Sequence, residues 1–402
     1  MLFRSGLGQR GWIAFFFLIS PAFLFFGRSG IHEMPFVFFQ VVFALGLLRW
    51  GEERDEKALE LALFGLFGMM TLKETFVLAL ASWGVGAIFL GPKEWRSQFS
   101  WAHLRQTWTK STTWLLIVLL IIFVGLFTGF GRNPRGVWSF VEAFLPWMKT
   151  GVGENGHNKE FWYWLKVTWT AEPLAVLGMV LAVWGLLAKE SALRLVSVFS
   201  LCQFLLYSAI PYKTVWCIIT LLWGFYFVLA MSIVKYWNRR GWQRWLLPVF
   251  VVLVLPLQFK SDYESVYKEP INMDHPYVYV NTTYEQKAIQ DLILLKLQDP
   301  AFAKETVQMG MEEQWPWPWV FRNAVTSWHH CGQYVSPDAL VYFCDPKDSF
   351  FIENQLKQPY LKRSFQMRQA RGPSLVYLRK NVFDGTATGD YEVVGPETKQ
   401  EH

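Results

Sequence analysis

Apolar residues in this chain come in long runs over the first 260 positions and in short segments after them. A bilayer core of about 30 Å needs roughly 20 apolar residues in a helix. Nine runs approach that length: 11–27, 34–50, 58–72, 75–91, 113–130, 172–188, 192–209, 214–234 and 245–259. Only Lys73-Glu74 separates 58–72 from 75–91, so the two predict a helical hairpin with its tip at membrane depth. The 93–112 connector carries Trp95, Trp101 and Trp108 among basic residues and reads either as an interfacial amphipathic helix or as a loop. Beyond 260 the pattern changes. Strands are predicted over 277–280, 339–344 and 374–379, with helices over 284–297 and 350–357, a combination that points to a small α/β domain. The fold class expected is therefore mainly α: a polytopic helical membrane domain over 1–259 and a C-terminal α/β soluble domain over 260–402.

Composition supports the membrane assignment. Apolar residues make up 52% of the chain and charged residues 17%, against about 25% charged in soluble proteins. The 35 Phe and 22 Trp suit a bilayer boundary, where aromatic rings settle. The net charge of +6 does not point to nucleic acid, because the basic residues cluster in connectors. Arg4 and Arg10 precede the first run, Lys93, Arg96, Arg105 and Lys110 follow the fourth, Lys189 and Arg194 follow the sixth, and Lys235, Arg239, Arg240 and Arg244 follow the eighth. With nine spans all of these fall on one side, which the positive-inside rule makes the cytoplasm. The 131–171 connector and the 260–402 domain then lie outside a cell (inner) membrane. Residues 11–26 lead into Arg28–Glu33 rather than a small-residue cleavage site, so they read as a span and not as a removable signal. Cys202 and Cys217 sit in apolar runs as small hydrophobes. Cys331 and Cys344 lie in the expected oxidising compartment and predict a disulfide, with Cα atoms within about 7 Å.

Ionisable groups in or beside a membrane core are costly and default to functional candidates. The sequence holds four such clusters. Arg28, His32 and Glu33 could hold a divalent metal or a phosphate-bearing group, or form an ion pair at a helix turn. Lys73 and Glu74 could bind phosphate or simply pair with each other. In the segment from Tyr207 to Trp216, Pro211 breaks a helix and Lys213 follows Tyr212; the lysine could face the layer of Lys73 or snorkel to headgroups. Gly156, His157, Asn158 and Lys159, with Trp162, Tyr163, Trp164 and Glu172, fit either a sugar or isoprenoid headgroup site or an aromatic belt. His329 and His330 are adjacent and point to opposite faces of an extended segment, so they should not share one metal.

With these residues in view, the chain resembles the membrane glycosyltransferases of family 39 and their GT-C relatives, among them the protein O-mannosyltransferases and lipid A aminoarabinose transferases. It looks nearest to the prokaryotic flippase-activity-associated subgroup. Ser20-Pro21, Phe25-Phe26-Gly27-Arg28 and Glu33 resemble the family's Ser-Pro, Tyr-Ser-Arg and following acidic residue. Lys73-Glu74 resembles its Thr-Lys-Glu. Asn133-Pro134, Gly136, Gly156-His157, Lys159 and Glu172 match its long middle loop. Tyr207-Ser208 and Tyr212-Lys213-Thr214 with Trp216 resemble its Tyr-Ser and Tyr-Lys-Thr-Pro-Trp, and the Trp315–Trp319 run with Arg322 resembles a motif of its soluble domain. Glu33 stands where Asp is usual, Gly27 where Ser is usual, and Val215 replaces a proline.

The resemblance implies a GT-C fold and an inverting transfer from a polyprenyl-phosphate-sugar donor to an acceptor protein or glycolipid at the extracytoplasmic face. It assigns the donor phosphate to Arg28, Lys73, Lys213 and Tyr212, the substrate to His157, Lys159, Glu172 and Trp216, and a divalent metal to Glu33 and His32. The family's first extracytoplasmic loop, with its acidic pair, has no counterpart ahead of Ser20-Pro21. The expectation is thus a sequence that begins inside the family's fold, with the catalytic base outside this chain, or a non-catalytic membrane partner in glycolipid assembly or flipping. If Arg28, Glu33, Lys73 and Lys213 serve one phosphate, their tips should gather within roughly 10–12 Å, a reach set by direct ion pairing. The charge pattern also makes a topology prediction. Single cysteines introduced at 260–402 should label from outside intact cells, and cysteines at 93–112 should not; labelling of the latter would reverse the orientation.

Overall fold

The computed structural model describes residues 6–152, 157–238, 241–279, 281–368 and 372–396; side chains of 6–10, 92, 94–98 and 150–152 are likewise outside the description. Arg4, Gly156, Arg239, Arg240 and the end of the expected 277–280 strand at 280 lie outside the described residues, as do the side chains of Arg10, Trp95 and Arg96. The chain divides into two compact units, Met1–Tyr277 and Val278–His402.

Local breakers set the helix limits in the first unit. The 11–27 run is not one helix but two, α1 (Gly6–Leu18) and α2 (Pro21–Gly27). Ser20 caps α2 by accepting from the Phe23 N–H, and Pro21 occupies its first turn, where a missing N–H costs nothing. Next come α3 (Glu33–Glu53), closed by Arg54 in a left-handed conformation, and α4 (Glu56–Leu72). α5 (Phe76–Phe99) is broken at Gly91, whose φ of 81° no helix accommodates. The 93–112 connector is helical rather than a loop: α6 (Trp101–Thr107) is capped by Ser100 and α7 (Lys110–Phe127) by Thr109. Short helices α8 (Gly136–Glu142), α9 (Phe144–Val152) and α10 (Tyr163–Ala171) precede α11 (Pro173–Gly185) and α12 (Ser191–Ala209). A 3₁₀ turn, Val215–Cys217, opens α13 (Ile218–Trp237), and α14 (Leu246–Asp262) runs into a π turn, Tyr263–Lys268.

Among the described residues, five helical segments are long and apolar enough to cross a membrane: Glu33–Glu53, Lys110–Phe127, Ser191–Ala209, Val215–Trp237 and Trp242–Lys268. Phe76–Gly91 and Pro173–Gly185 are shorter apolar helices. The protein is thus membrane-embedded, with fewer full-length spans than the nine runs predicted. α13 is the centre of this unit: every residue from Ile218 to Ile233 is buried, against α1, α3, α11 and α12. α7 is the opposite case, with Trp114 and Ile121 exposed, as a lipid-facing helix requires. Inside the bundle Gln40 of α3 accepts from Gln203 (3.2 Å) and from the Trp223 indole (3.1 Å), tying α3, α12 and α13 by hydrogen bonds that no water contests.

α4 packs mainly on α3, and α5 on α12. The expected 58–72/75–91 hairpin is therefore splayed, each arm taking another partner. The α3–α4 contact is antiparallel and very close: a Cβ on Gly46 would stand 2.3 Å from the Ala62 nitrogen, and one on Gly65 2.4 Å from the Phe43 nitrogen. Small residues at such crossings let backbones touch and dispersion contacts accumulate.

In the second unit, α15 (Tyr284–Leu297) matches the predicted helix. The described strands form one mixed sheet of order β2-β1-β3-β5-β4-β6, made of β1 (Thr306–Met309), β2 (Val325–Ser327), β3 (Val341–Cys344), β4 (Tyr360–Phe365), β5 (Ser374–Arg379) and β6 (Glu392–Val394). β1 runs parallel to β2 and β3, and the remaining pairings are antiparallel. Val307, Met309, Trp317, Phe343, Val376 and Leu378 form its core, with Ile289 and Ile293 of α15. A short helix, Ser349–Glu353, stands where 350–357 was expected. The strand expected over 277–280 is not present in its described part; Tyr277 belongs instead to the helical unit. Cys331 and Cys344 form the expected disulfide, with Cα atoms 5.7 Å apart.

Gly65→Ala should lower the thermal stability of the detergent-solubilised protein, by about 1–3 kcal/mol, the usual cost of overpacking. Gly84→Ala should not, because nothing lies within 4 Å of the Cβ it adds. Equal melting temperatures for both variants would contradict the close α3–α4 contact.

Candidate functional site

The antiparallel α3–α4 pairing brings the start of α3 beside the end of α4, and with them two charges forty positions apart in sequence. Glu33, fully buried, accepts from the Lys73 ammonium at 2.5 Å through Oε1, and His32 Nε2 stands 3.3 Å from the same oxygen. The other oxygen, Oε2, is buried without a hydrogen-bond partner. Lys73 also reaches Sγ of Cys217 at 3.4 Å, and Thr214 Oγ1 lies 3.3 Å from that sulfur. The start of α13 therefore meets the α3–α4 pair at one point.

Lys73 opens onto a cavity of about 410 Å³. Its walls are Trp147, Trp164, Tyr207, Tyr212, Leu78 and Ile210, and its polar lining includes Lys73, Glu74, Thr75, Thr214 and Cys217. Trp164 is locked by an indole hydrogen bond to the Tyr207 carbonyl at 3.2 Å. Tyr212 is positioned by a two-stranded clip. The Lys213 N–H donates to His157 O (3.1 Å), the Lys159 N–H donates to Pro211 O (2.9 Å), and Asn158 pairs with Tyr212. Pro211 makes the clip necessary, since it ends α12 and leaves extended backbone whose polar groups need partners.

That extended backbone separates neighbouring side chains. Tyr212 and Thr214 face the cavity, while Lys213 between them turns away. Its ammonium donates to Ile210 O (2.6 Å) and Lys159 O (3.2 Å). Arg28 donates to Val266 O at 3.2 Å and lies over the Tyr267 ring. Glu33 and Lys73 meet directly, whereas Arg28 and Lys213 take backbone carbonyls as their partners. His157 stacks edge-on against Tyr212 at 5.2 Å. Lys159 is exposed, and Trp216 is half-buried in the 3₁₀ turn outside the cavity lining. His32 and Glu33 stand side by side as expected, with the Lys73 ammonium on the Glu33 oxygen that the imidazole faces. Trp147 and Cys217 are wall residues that sequence reasoning missed. Cys217 reads as one more hydrophobe in a run, and its contact with Lys73 exists only once α13 docks on α4.

Glu172, expected to touch substrate, does something else. It is fully buried and accepts from Ser20 Oγ (3.0 Å), the Ala22 N–H (2.7 Å), Gln258 Nε2 (3.2 Å), the Tyr277 hydroxyl (2.7 Å) and the Tyr226 hydroxyl. These donors come from the α2 cap, α14, the 270s segment and α13. Its oxygens are saturated by the protein itself, which leaves no place for a substrate.

Tyr277→Phe should destabilise the folded protein by about 1.5–3 kcal/mol, the worth of a hydrogen bond to a charged group. Glu172→Ala should cost more and abolish purification as a monodisperse species, because it strands several buried donors at once. Wild-type stability in Glu172→Ala, measured by thermal unfolding in detergent, would contradict the structural role. No family model matches this chain, and no curated protein or solved structure matches it either.

Proposed function

We propose that the helical unit is a GT-C-type membrane glycosyltransferase, taking a sugar from a polyprenyl-phosphate donor and passing it to a protein or glycolipid acceptor. The extracytoplasmic face of a cell membrane is its place of action, with the N-terminus inside and the C-terminal unit outside, as the connector charges imply. One observation carries this reading: a lysine ammonium opens onto an aromatic-walled cavity within a membrane-embedded bundle. Such a cavity suits an amphiphile whose head is anionic and whose body is apolar.

In this reading the phosphate sits at Lys73, which Glu33 holds in place. An acceptor hydroxyl attacks the anomeric carbon, the carbon–oxygen bond to phosphate breaks, and the departing phosphate takes the electron pair. Lys73 offsets the negative charge gathering there. The resemblance sets the catalytic base outside this chain; among the described residues, Glu74 is the carboxylate in the cavity lining, and in this reading it takes the acceptor's proton instead. Tyr212, Trp147 and Trp164 would hold the sugar and the first isoprene units.

A second reading is a non-catalytic membrane partner that binds or moves the same lipid. It is favoured by the Lys73–Glu33 contact at 2.5 Å, which already neutralises the lysine, and by the absence of Arg28 and Lys213 from the cavity lining.

The full chain in lipid nanodiscs, given a short-chain polyprenyl phosphate and its sugar-bearing form, separates the two. Lys73→Ala should weaken binding of the phosphate about 10- to 100-fold, in keeping with loss of a charge-assisted hydrogen bond. Glu74→Gln should retain binding and lose sugar transfer. Binding without transfer by the wild type selects the partner reading. Unchanged affinity in Lys73→Ala removes both.

A further inference from the structure

The C-terminal unit carries a second cluster of ionisable groups, independent of the cavity and of its proposed use. His329 and His330 turn to different neighbours, as their adjacency predicts. His329 Nδ1 lies 3.1 Å from Ser327 Oγ, and its ring packs on Tyr334. His330 lies between two aspartates: Nε2 is 3.4 Å from Asp345 Oδ2, and Nδ1 is 3.4 Å from Asp348 Oδ2. Glu312 completes the group, its backbone N–H donating to Asp345 Oδ2 at 2.9 Å. One ligand atom from each of Glu312, His330 and Asp345 lies within 4.8 Å of the others. Three ligands each about 2.1 Å from one ion stand roughly 3.0–3.6 Å apart, so side-chain movements of about 1 Å close the shell.

Two further features are those of a built site. The disulfide joins Cys331, next to His330, with Cys344, next to Asp345, so a covalent clamp holds the backbones of two ligands together. Behind the imidazole stands Asp348, 8% exposed, whose Oδ2 is buried and makes no hydrogen bond. It reaches that place because residue 332 is glycine; a Cβ there would lie 2.5 Å from Asp348 Oδ1. The Gly332 N–H donates to the same Nδ1 at 3.3 Å; with Nε2 on an ion and the proton on Nδ1, the Asp348 carboxylate becomes the acceptor that orients the ring and raises its basicity. In front, Glu312 and Asp345 line a cavity of about 350 Å³, room for waters or an anion to finish the coordination. Lys347 pairs with Glu312 Oε1 and is the internal cation that a metal would compete with.

We propose that Glu312, His330 and Asp345 form a divalent metal site, with Asp348 as the positioning residue. One imidazole and two carboxylates, with both nearby cysteines held in a disulfide, suit Zn²⁺ or Mn²⁺ over the soft ions that thiolates select.

The test uses the full chain in detergent, stripped with chelator and then titrated with Mn²⁺, read by loss of the free-ion paramagnetic resonance signal, and with Zn²⁺, read by calorimetry. One ion should bind per chain. His330→Ala and Asp345→Asn should weaken binding at least tenfold, and Asp348→Asn about 10- to 100-fold, the usual effect of losing an orienting partner. Circular dichroism and a free-thiol assay establish that each variant is folded with its disulfide intact. Asp345→Asn, which keeps the shape of the side chain, decides the matter if His330→Ala does not fold. The proposal is overturned if neither ion binds saturably, or if the folded variants bind as tightly as wild type. It is overturned equally if binding is lost in Glu33→Gln and retained in Asp345→Asn, which would put the ion at α3.

Discussion

A carboxylate enclosed in an apolar bundle has to find its donors within the protein, because its desolvation is repaid in no other way. Glu172 meets that demand with hydroxyls, an amide and a backbone N–H drawn from four separate parts of the first unit. The consequence is geometric. The α2 cap, the start of α11, the middle of α13 and the end of α14 must come together at one point, and Tyr277 must close it. Gln258 strengthens the junction by also bonding Ile19 O and the Leu174 N–H. With α13 held in this way, its first turn and Cys217 have a fixed place against Lys73.

The cavity depends on a second constraint of a different kind. Gly46 and Gly65 let α3 and α4 approach to backbone contact, and this register sets Glu33 opposite Lys73. The two lysines of the region show how local geometry sorts like charges. Lys73 ends a helix whose neighbour offers a carboxylate, so it pairs with it and keeps an edge on the cavity. Lys213 lies on extended chain after a proline, where unpaired carbonyls are at hand, and it satisfies those instead. Identical chemistry thus has one role at the site and another in the scaffold.

In the second unit the disulfide has a comparable part. It bridges the loop before β3 to the end of β3, and two members of the charged cluster, His330 and Asp345, flank the two cysteines. Both cysteines pack in a core with Tyr342, Ile352, Leu375 and Tyr377, so a rigid layer supports a polar edge.

Much of this architecture is legible from the residues alone. Long apolar runs have only one economical fate in water, and the switch near 260 to short segments marks a different kind of fold. Helix 284–297, the strands ending at Cys344 and Arg379 and the cysteine pairing follow from local pattern and from the small number of available partners. Other features are not local. Pro21 splits the first run through a cap that Ser20 supplies, and a run of average hydropathy does not reveal it. Strands β1 and β4 carry too little alternation to stand out, and they exist because β3 and β5 offer them a ladder. Glu172 and Lys213 look like site residues because a charge near a membrane is costly wherever it falls. Whether that cost is met by a ligand or by the protein's own donors depends on which distant side chains arrive, and tertiary packing alone decides that.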